Sequence, residues 1–216
     1  MKKILILPIL LICLGGIWLH PILAKNTLPL VGKIIIIDPG HGKLDPGTVY
    51  GDIYEKDINL QISLFLKEKL ESYGAVVLMT REGDYDLSSP NAIYRKKSDF
   101  DNRIKYINES KGDLYLSIHQ NYLSDSRYSG SQVFYTSDNK ILAQSIQQVL
   151  NKELKNDREI KMIPNTKYMY SKLHIKGVLV ECGFLSNKEE REKLITTKYQ
   201  QEFAASLAKA IIVYYA

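Results

Sequence analysis

Apolar residues follow two rhythms along this chain. Ile34 to Ile37 is an unbroken apolar run, the pattern of a strand buried on both faces, whereas Ile58, Ile62, Phe65, Leu66 and Leu70 recur every three or four positions between Glu55 and Tyr73, as on a helix with one inward stripe. Gly74 ends that helix. Ala75 to Thr80 then reads as a strand, Ser98 to Asn108 as a helix N-capped by Ser98, and Asp113 to Ile118 and Ser131 to Thr136 as further strands. A helix over Asp138 to Leu154 follows, then a polar stretch to about Lys176, a buried strand over Gly177 to Glu181 and a final helix from Tyr199 to Tyr215. No internal repeat or low-complexity tract interrupts the series. The pattern predicts a single α/β domain: a twisted, mostly parallel sheet flanked by helices on both faces.

The N-terminus stands apart. Met1-Lys2-Lys3 precedes an apolar run from Ile4 to Leu19, and Ala24 offers a small residue for cleavage, so residues 1–24 read as a signal peptide or an N-terminal membrane anchor. Nothing with a membrane span follows it. Residues 25–32 are expected to be a linker, and residues 33–216 the catalytic domain. Cys13 follows Ile12 rather than a small residue and so does not resemble a lipid-modified cysteine. Cys182 is then the lone thiol of the domain, and stability must come from core packing rather than an intrachain disulfide.

The 216-residue chain is 45% hydrophobic and 25% charged, an ordinary globular composition. Without Lys2 and Lys3 the 29 basic residues become 27 against 24 acidic ones, a net charge of +3 that is too mild and too dispersed for nucleic-acid binding.

Ligands of open α/β sheets gather at the carboxyl ends of strands. Three of the strands here end in chemistry-bearing residues: Asp38-Pro39-Gly40-His41-Gly42, His119-Gln120-Asn121 and Val180-Glu181-Cys182-Gly183. His41 and His119 immediately follow buried strands, which suits metal ligands, although a lone turn histidine more often bonds to the backbone. Glu55 opens the first helix on the same stripe as Ile58, Ile62 and Leu66 and therefore faces inward, where a glutamate that only favours the helix dipole would face solvent. Two histidines and a carboxylate leave one coordination position open, the pattern of a catalytic zinc site. Glu181 closes an apolar run, where a carboxylate is costly without a partner or a task; general base and buried salt bridge both remain open.

Four segments in the same order, Ile37 to Gly42, Glu55-Lys56, Ser117 to Asn121 and Val180 to Asn187, resemble the zinc-dependent N-acetylmuramoyl-L-alanine amidases over nearly all of the chain after residue 32. The resemblance implies one zinc per chain held by His41, Glu55 and His119, with Glu181 as the catalytic glutamate acting on peptidoglycan. It also matches Arg103 to a family arginine of the substrate cleft, against a reading as a solvated helix arginine, and makes Asn121 a candidate substrate contact.

The N-terminal segment, the compact domain and the stretch Tyr94 to Phe100 further resemble the sporulation and germination branch of that family. There the amidase strips stem peptides for muramic-δ-lactam formation in the spore cortex, and clostridial relatives imply a lipoprotein partner. The implied location is extracytoplasmic or membrane-anchored at the forespore cortex, with the membrane engaged only through the N-terminal segment. Gln120 and Tyr122 depart from the small residues frequent after this histidine, which implies an altered substrate preference. His174 is expected not to be a ligand. Competing readings are another zinc peptidoglycan peptidase and a wall-binding regulator without catalysis.

Overall fold

The computed structural model describes residues 28–164 and 166–216. The expected signal or anchor over residues 1–24 lies outside them. Among the described residues no helix is long and apolar enough to cross a membrane.

The described residues form eight strands and five α-helices: β1 (Ile34–Pro39), β2 (Val49–Tyr50), β3 (Ile53–Tyr54), α1 (Glu55–Ser72), β4 (Val76–Met79), α2 (Arg95–Glu109), β5 (Leu114–Asn121), β6 (Gln132–Tyr135), α3 (Lys140–Leu154), β7 (Lys161–Met162), β8 (Gly177–Phe184), α4 (Lys188–Leu194) and α5 (Thr197–Tyr215). Six strands form one sheet in the order β4-β1-β5-β8-β6-β7. The first four are mutually parallel, whereas β6 runs antiparallel to β8 and carries β7 parallel to itself. The expected mostly parallel sheet is therefore present, with a reversed edge. Strands β2 and β3 form a separate two-residue hairpin just before α1.

β1 lies between β4 and β5, which is why Ile35, Ile36 and Ile37 are fully buried without any alternation. On one face Ile58, Ile62, Leu66 and Leu70 of α1 join Phe203, Leu207 and Ile211 of α5 and Leu142, Ile146 and Leu150 of α3 in the main core. The other face, under α2, holds a smaller cluster of Ile36, Ile107, Tyr115 and Met169. Each such Leu or Ile contributes about 1.5–3 kcal/mol by leaving water.

The boundaries differ from expectation in several places; β5 and β8 run on to Asn121 and Phe184, so His119 and Glu181 lie inside strands rather than just past or at the end of them. Leu30 is fully buried in the core and its N–H donates to the Tyr73 carbonyl at 3.0 Å, so the described part of the expected linker is integral to the domain. α2 begins at Arg95 with Tyr94 as N-cap, and Ser98 lies inside the helix, where its hydroxyl accepts from the Ser89 N–H. The short helix α4 was not expected, although Asn187 caps it by accepting from Glu190 N–H at 3.1 Å, an Asn-x-x-Glu start legible in the sequence.

Candidate metal centre and active site

The turn after β1 places His41 in the left-handed region at φ 64, a conformation that costs a residue with a Cβ about 1–2 kcal/mol. Reciprocal backbone bonds between Gly42 and Asp45 at 3.0 Å close the turn, and the Arg103 guanidinium donates to the His41 carbonyl at 2.7 Å from beneath. Asp45, four residues on, sits 3.0 Å from His41 Nδ1 and fixes the ring so that Nε2 lies 3.2 Å from Glu55 Oε1.

Glu55 is the hub. It is only 3% exposed at the first turn of α1, as its place on the apolar stripe predicts. Its Oε2 accepts from Thr48 N–H at 2.8 Å, while Oε1 accepts from Gln120 N–H at 3.1 Å and lies 3.0 Å from His119 Nδ1. Burial disfavours its charge, but the two histidines outweigh that and hold the carboxyl well below its usual range. Burial likewise opposes a proton on His41, yet the carboxylates of Asp45 and Glu55 at its two ring nitrogens raise it to about 9. The ligand atoms of His41, Glu55 and His119 all lie within 4.8 Å of one another, and the imidazole rings meet edge to face at 4.9 Å. Two imidazole nitrogens and a carboxylate oxygen this close fit a single zinc ion.

Glycine makes this convergence possible at two points. A Cβ on Gly40 would fall 2.1 Å from His119 Cε1, and one on Gly47, at φ +69, would fall 2.7 Å from both Glu55 Oε2 and His41 Cδ2. Either would push a candidate ligand aside.

Glu181 sits directly opposite His119 in the β5–β8 ladder, with Gln132 of β6 opposite on its other side. Its Oε2 is buried without a hydrogen-bond partner. Burial, aided by the neighbouring Glu55 charge, pushes its carboxyl up to about 8.

Two cavities meet at His119, Lys167 and Tyr170. The smaller, about 210 Å³, runs over Asp45, Asp99 and Phe100; the larger, about 620 Å³, runs past Glu181 and Asn121 toward β7. Arg103 borders the smaller cavity but is 2% exposed, with its guanidinium turned to protein acceptors: Asp99 Oδ2 at 2.9 Å, Asp38 Oδ1 at 2.7 Å and the carbonyls of Pro39 and His41. That corrects the solvated reading of this side chain, whose guanidinium sits at the cavity wall bonded to protein acceptors. Gln120 is also turned inward, 3% exposed and donating to Asn59 Oδ1 at 3.0 Å, so it does not face a ligand. His174 is exposed and lines neither cavity.

Sequence reasoning singled out the stretch from Asp38 to Gly42 without a role for Asp38, and missed Asp45, Asn59 and Asp99; together these hold His41, Glu55 and Arg103 in place. Of the three missed residues only Asp45 carried a local signal, through its nearness to His41.

The family model for N-acetylmuramoyl-L-alanine amidases matches residues 35–213 of this chain. The chain belongs to that family. It is an enzyme that hydrolyses the N-acetylmuramoyl-L-alanine amide of peptidoglycan. Among its relatives, the germination-specific N-acetylmuramoyl-L-alanine amidase of Bacillus subtilis is 40% identical over 196 residues, covering 88% of this chain and 82% of that protein. A probable cell wall amidase of Staphylococcus aureus, LytH, is 30% identical over 90% of this chain and 63% of its own length. The CwlD amidase of Clostridioides difficile, solved in complex with the GerS lipoprotein, superposes with a TM-score of 0.78 at 38% identity, over 83% of this chain and 96% of that one. The amidase fold of these relatives is the sheet and helix arrangement described above.

Proposed function

We propose that the domain over residues 33–216 is a zinc-dependent amidase in which His41, Glu55 and His119 hold one zinc and Glu181 moves the protons of the reaction. The convergence of three ligand atoms within 4.8 Å, beside an unpaired carboxylate, carries this reading. When bound, zinc supplies Lewis acidity that polarises the scissile carbonyl and eases the loss of a proton from water. The Glu181 carboxylate takes that proton from the attacking water and delivers it to the alanine nitrogen as the C–N bond breaks. Asp45 orients His41, and Arg103 is a positioning residue that ties the His41 turn to Asp38 and Asp99. Asn121, lining the larger cavity, is assigned to substrate contact.

The setting is extracytoplasmic, supported by the cell wall relative and by the export-like residues 1–24. The germination-specific relative supports stem-peptide removal for muramic-δ-lactam in spore cortex, and the lipoprotein complex of the clostridial relative supports a similar partner.

Digestion of purified peptidoglycan by the zinc-loaded protein tests the chemistry. The expected products are free stem peptides and intact glycan strands, with activity lost on chelation and restored by zinc. Release of terminal D-alanine alone would instead make the protein a peptidase, and turnover unaffected by chelation would remove the zinc.

A further inference from the structure

The larger cavity has a floor built from one face of four neighbouring strands. Residues directly opposite in a ladder point to the same side, so His119, Glu181 and Gln132 form one row across β5, β8 and β6, and Leu179, Phe134 and Lys161 form the next across β8, β6 and β7. The floor thus leads from the reacting groups to the sheet edge. Its polar lining is one-sided in charge: Arg158, Lys161 and Lys167 surround it, and Glu181 at its inner end is the single carboxylate.

Arg158 is held in place by its neighbours. Its guanidinium lies against the rings of Phe184 and Tyr128, 5.2 and 5.7 Å from their centroids, and donates to Gln132 Oε1 at 3.2 Å. Its Nε is buried without an acceptor. A fixed guanidinium bonded to a neutral amide rather than an acid is ready for a carboxylate from outside the chain.

The smaller cavity is mixed in charge. Asp38 and Asp99 there are paired with Arg103, and Asp45, Lys167 and the two histidines lie beside the rings of Phe100 and Tyr168.

We propose that the cationic end of the larger cavity, Arg158 with Lys161 and Lys167, is a carboxylate subsite that binds the acidic residues of the stem peptide beyond its first alanine. The inference rests on the peptidoglycan reading of the same active site. Two inter-strand steps separate β8 from β7, about 10 Å, and an extended peptide covers that in about three residues. The residues after alanine, a glutamate and, in many walls, a diaminopimelate, both carry carboxylates and fall at that distance. The muramoyl side is then left to the smaller cavity.

Calorimetric titration of the zinc-loaded protein with the free tripeptide L-alanyl-γ-D-glutamyl-diaminopimelate, and with its amidated form, tests the proposal without catalysis. The acid should bind about tenfold more tightly, the worth of one charge-assisted hydrogen bond. That preference should collapse toward equality in Arg158→Gln and in Lys161→Gln. Lys161 is exposed on an edge strand, so its variant folds even if loss of the Arg158 stacking is damaging. Equal affinities in the wild type, or a preference that survives in Lys161→Gln and in a folded Arg158→Gln, overturns the subsite. Failure to cleave peptidoglycan while the preference persists would overturn the proposed chemistry and leave the subsite standing.

Discussion

Gly40 and His119 come so close that a methyl group on Gly40 would fall 2.1 Å from the imidazole Cε1. The strand-end glycine therefore sets the ring position, and the Gly40 N–H, bonded to the Ile118 carbonyl at 2.9 Å, keeps the two chains in register. Gly40→Ala should displace His119 while the sheet persists. Elemental analysis should show reduced zinc, and turnover should fall by about two powers of ten or more, with far-ultraviolet circular dichroism nearly unchanged. Full zinc content and normal turnover would show that the ring is free to move.

His119→Ala removes one of three assigned ligands outright. Zinc occupancy after dialysis should drop well below one per chain and activity should vanish, whereas His174→Ala should retain both. A His119→Ala protein with full zinc content would strike that residue from the ligand set.

Glu181→Gln nearly keeps the shape of the side chain but cannot accept a proton. Zinc content should stay at one per chain and turnover should fall by about two to four powers of ten. Loss of zinc in this variant would make Glu181 a ligand, and near-normal turnover would place the base elsewhere.

Asp38 is fully buried beside Arg103. Burial alone would raise its carboxyl, but the guanidinium at 2.7 Å and the Thr80 hydroxyl hold it below 3.8. A carboxyl depressed in the folded state stabilises the protein above its unfolded pKa and loses that contribution as pH falls through the folded value. Asp38→Asn removes one of the two carboxylates that neutralise the buried Arg103 guanidinium, leaving Asp99, and should cost up to about 3 kcal/mol at pH 7. In urea titrations the difference from wild type should shrink below about pH 4. A penalty independent of pH down to 3 would mean that the Asp38 charge does not stabilise the fold.

If the chain serves spore cortex, deleting its gene should yield spores without muramic-δ-lactam. Normal lactam in the mutant cortex, measured by chromatography of digested cortex, would end that assignment while leaving the amidase activity untouched.

The sequence by itself determined the order of the main strands and helices, the burial of β1, the inward face of Glu55 and the place of His41 just past β1; His119 and Glu181, expected just past and at the end of their strands, instead lie inside β5 and β8. Those features rest on local periodicity and on the one-dimensional rule that apolar runs are interior, and both are written in neighbouring residues. Tertiary structure alone decided that β6 reverses, that Leu30 joins the core, and that the Arg103 guanidinium is held beneath the His41 turn. It also decided that Asp45 and Asn59 serve as supports, and that Gln132, Arg158 and Lys161 share a cavity with Glu181. Arg103 and Asp38 are 65 positions apart, and no local pattern records which acceptor a long, flexible guanidinium will find. Its partner is selected by the cost of burying a charge, a cost that exists only once the sheet and helices have closed around it.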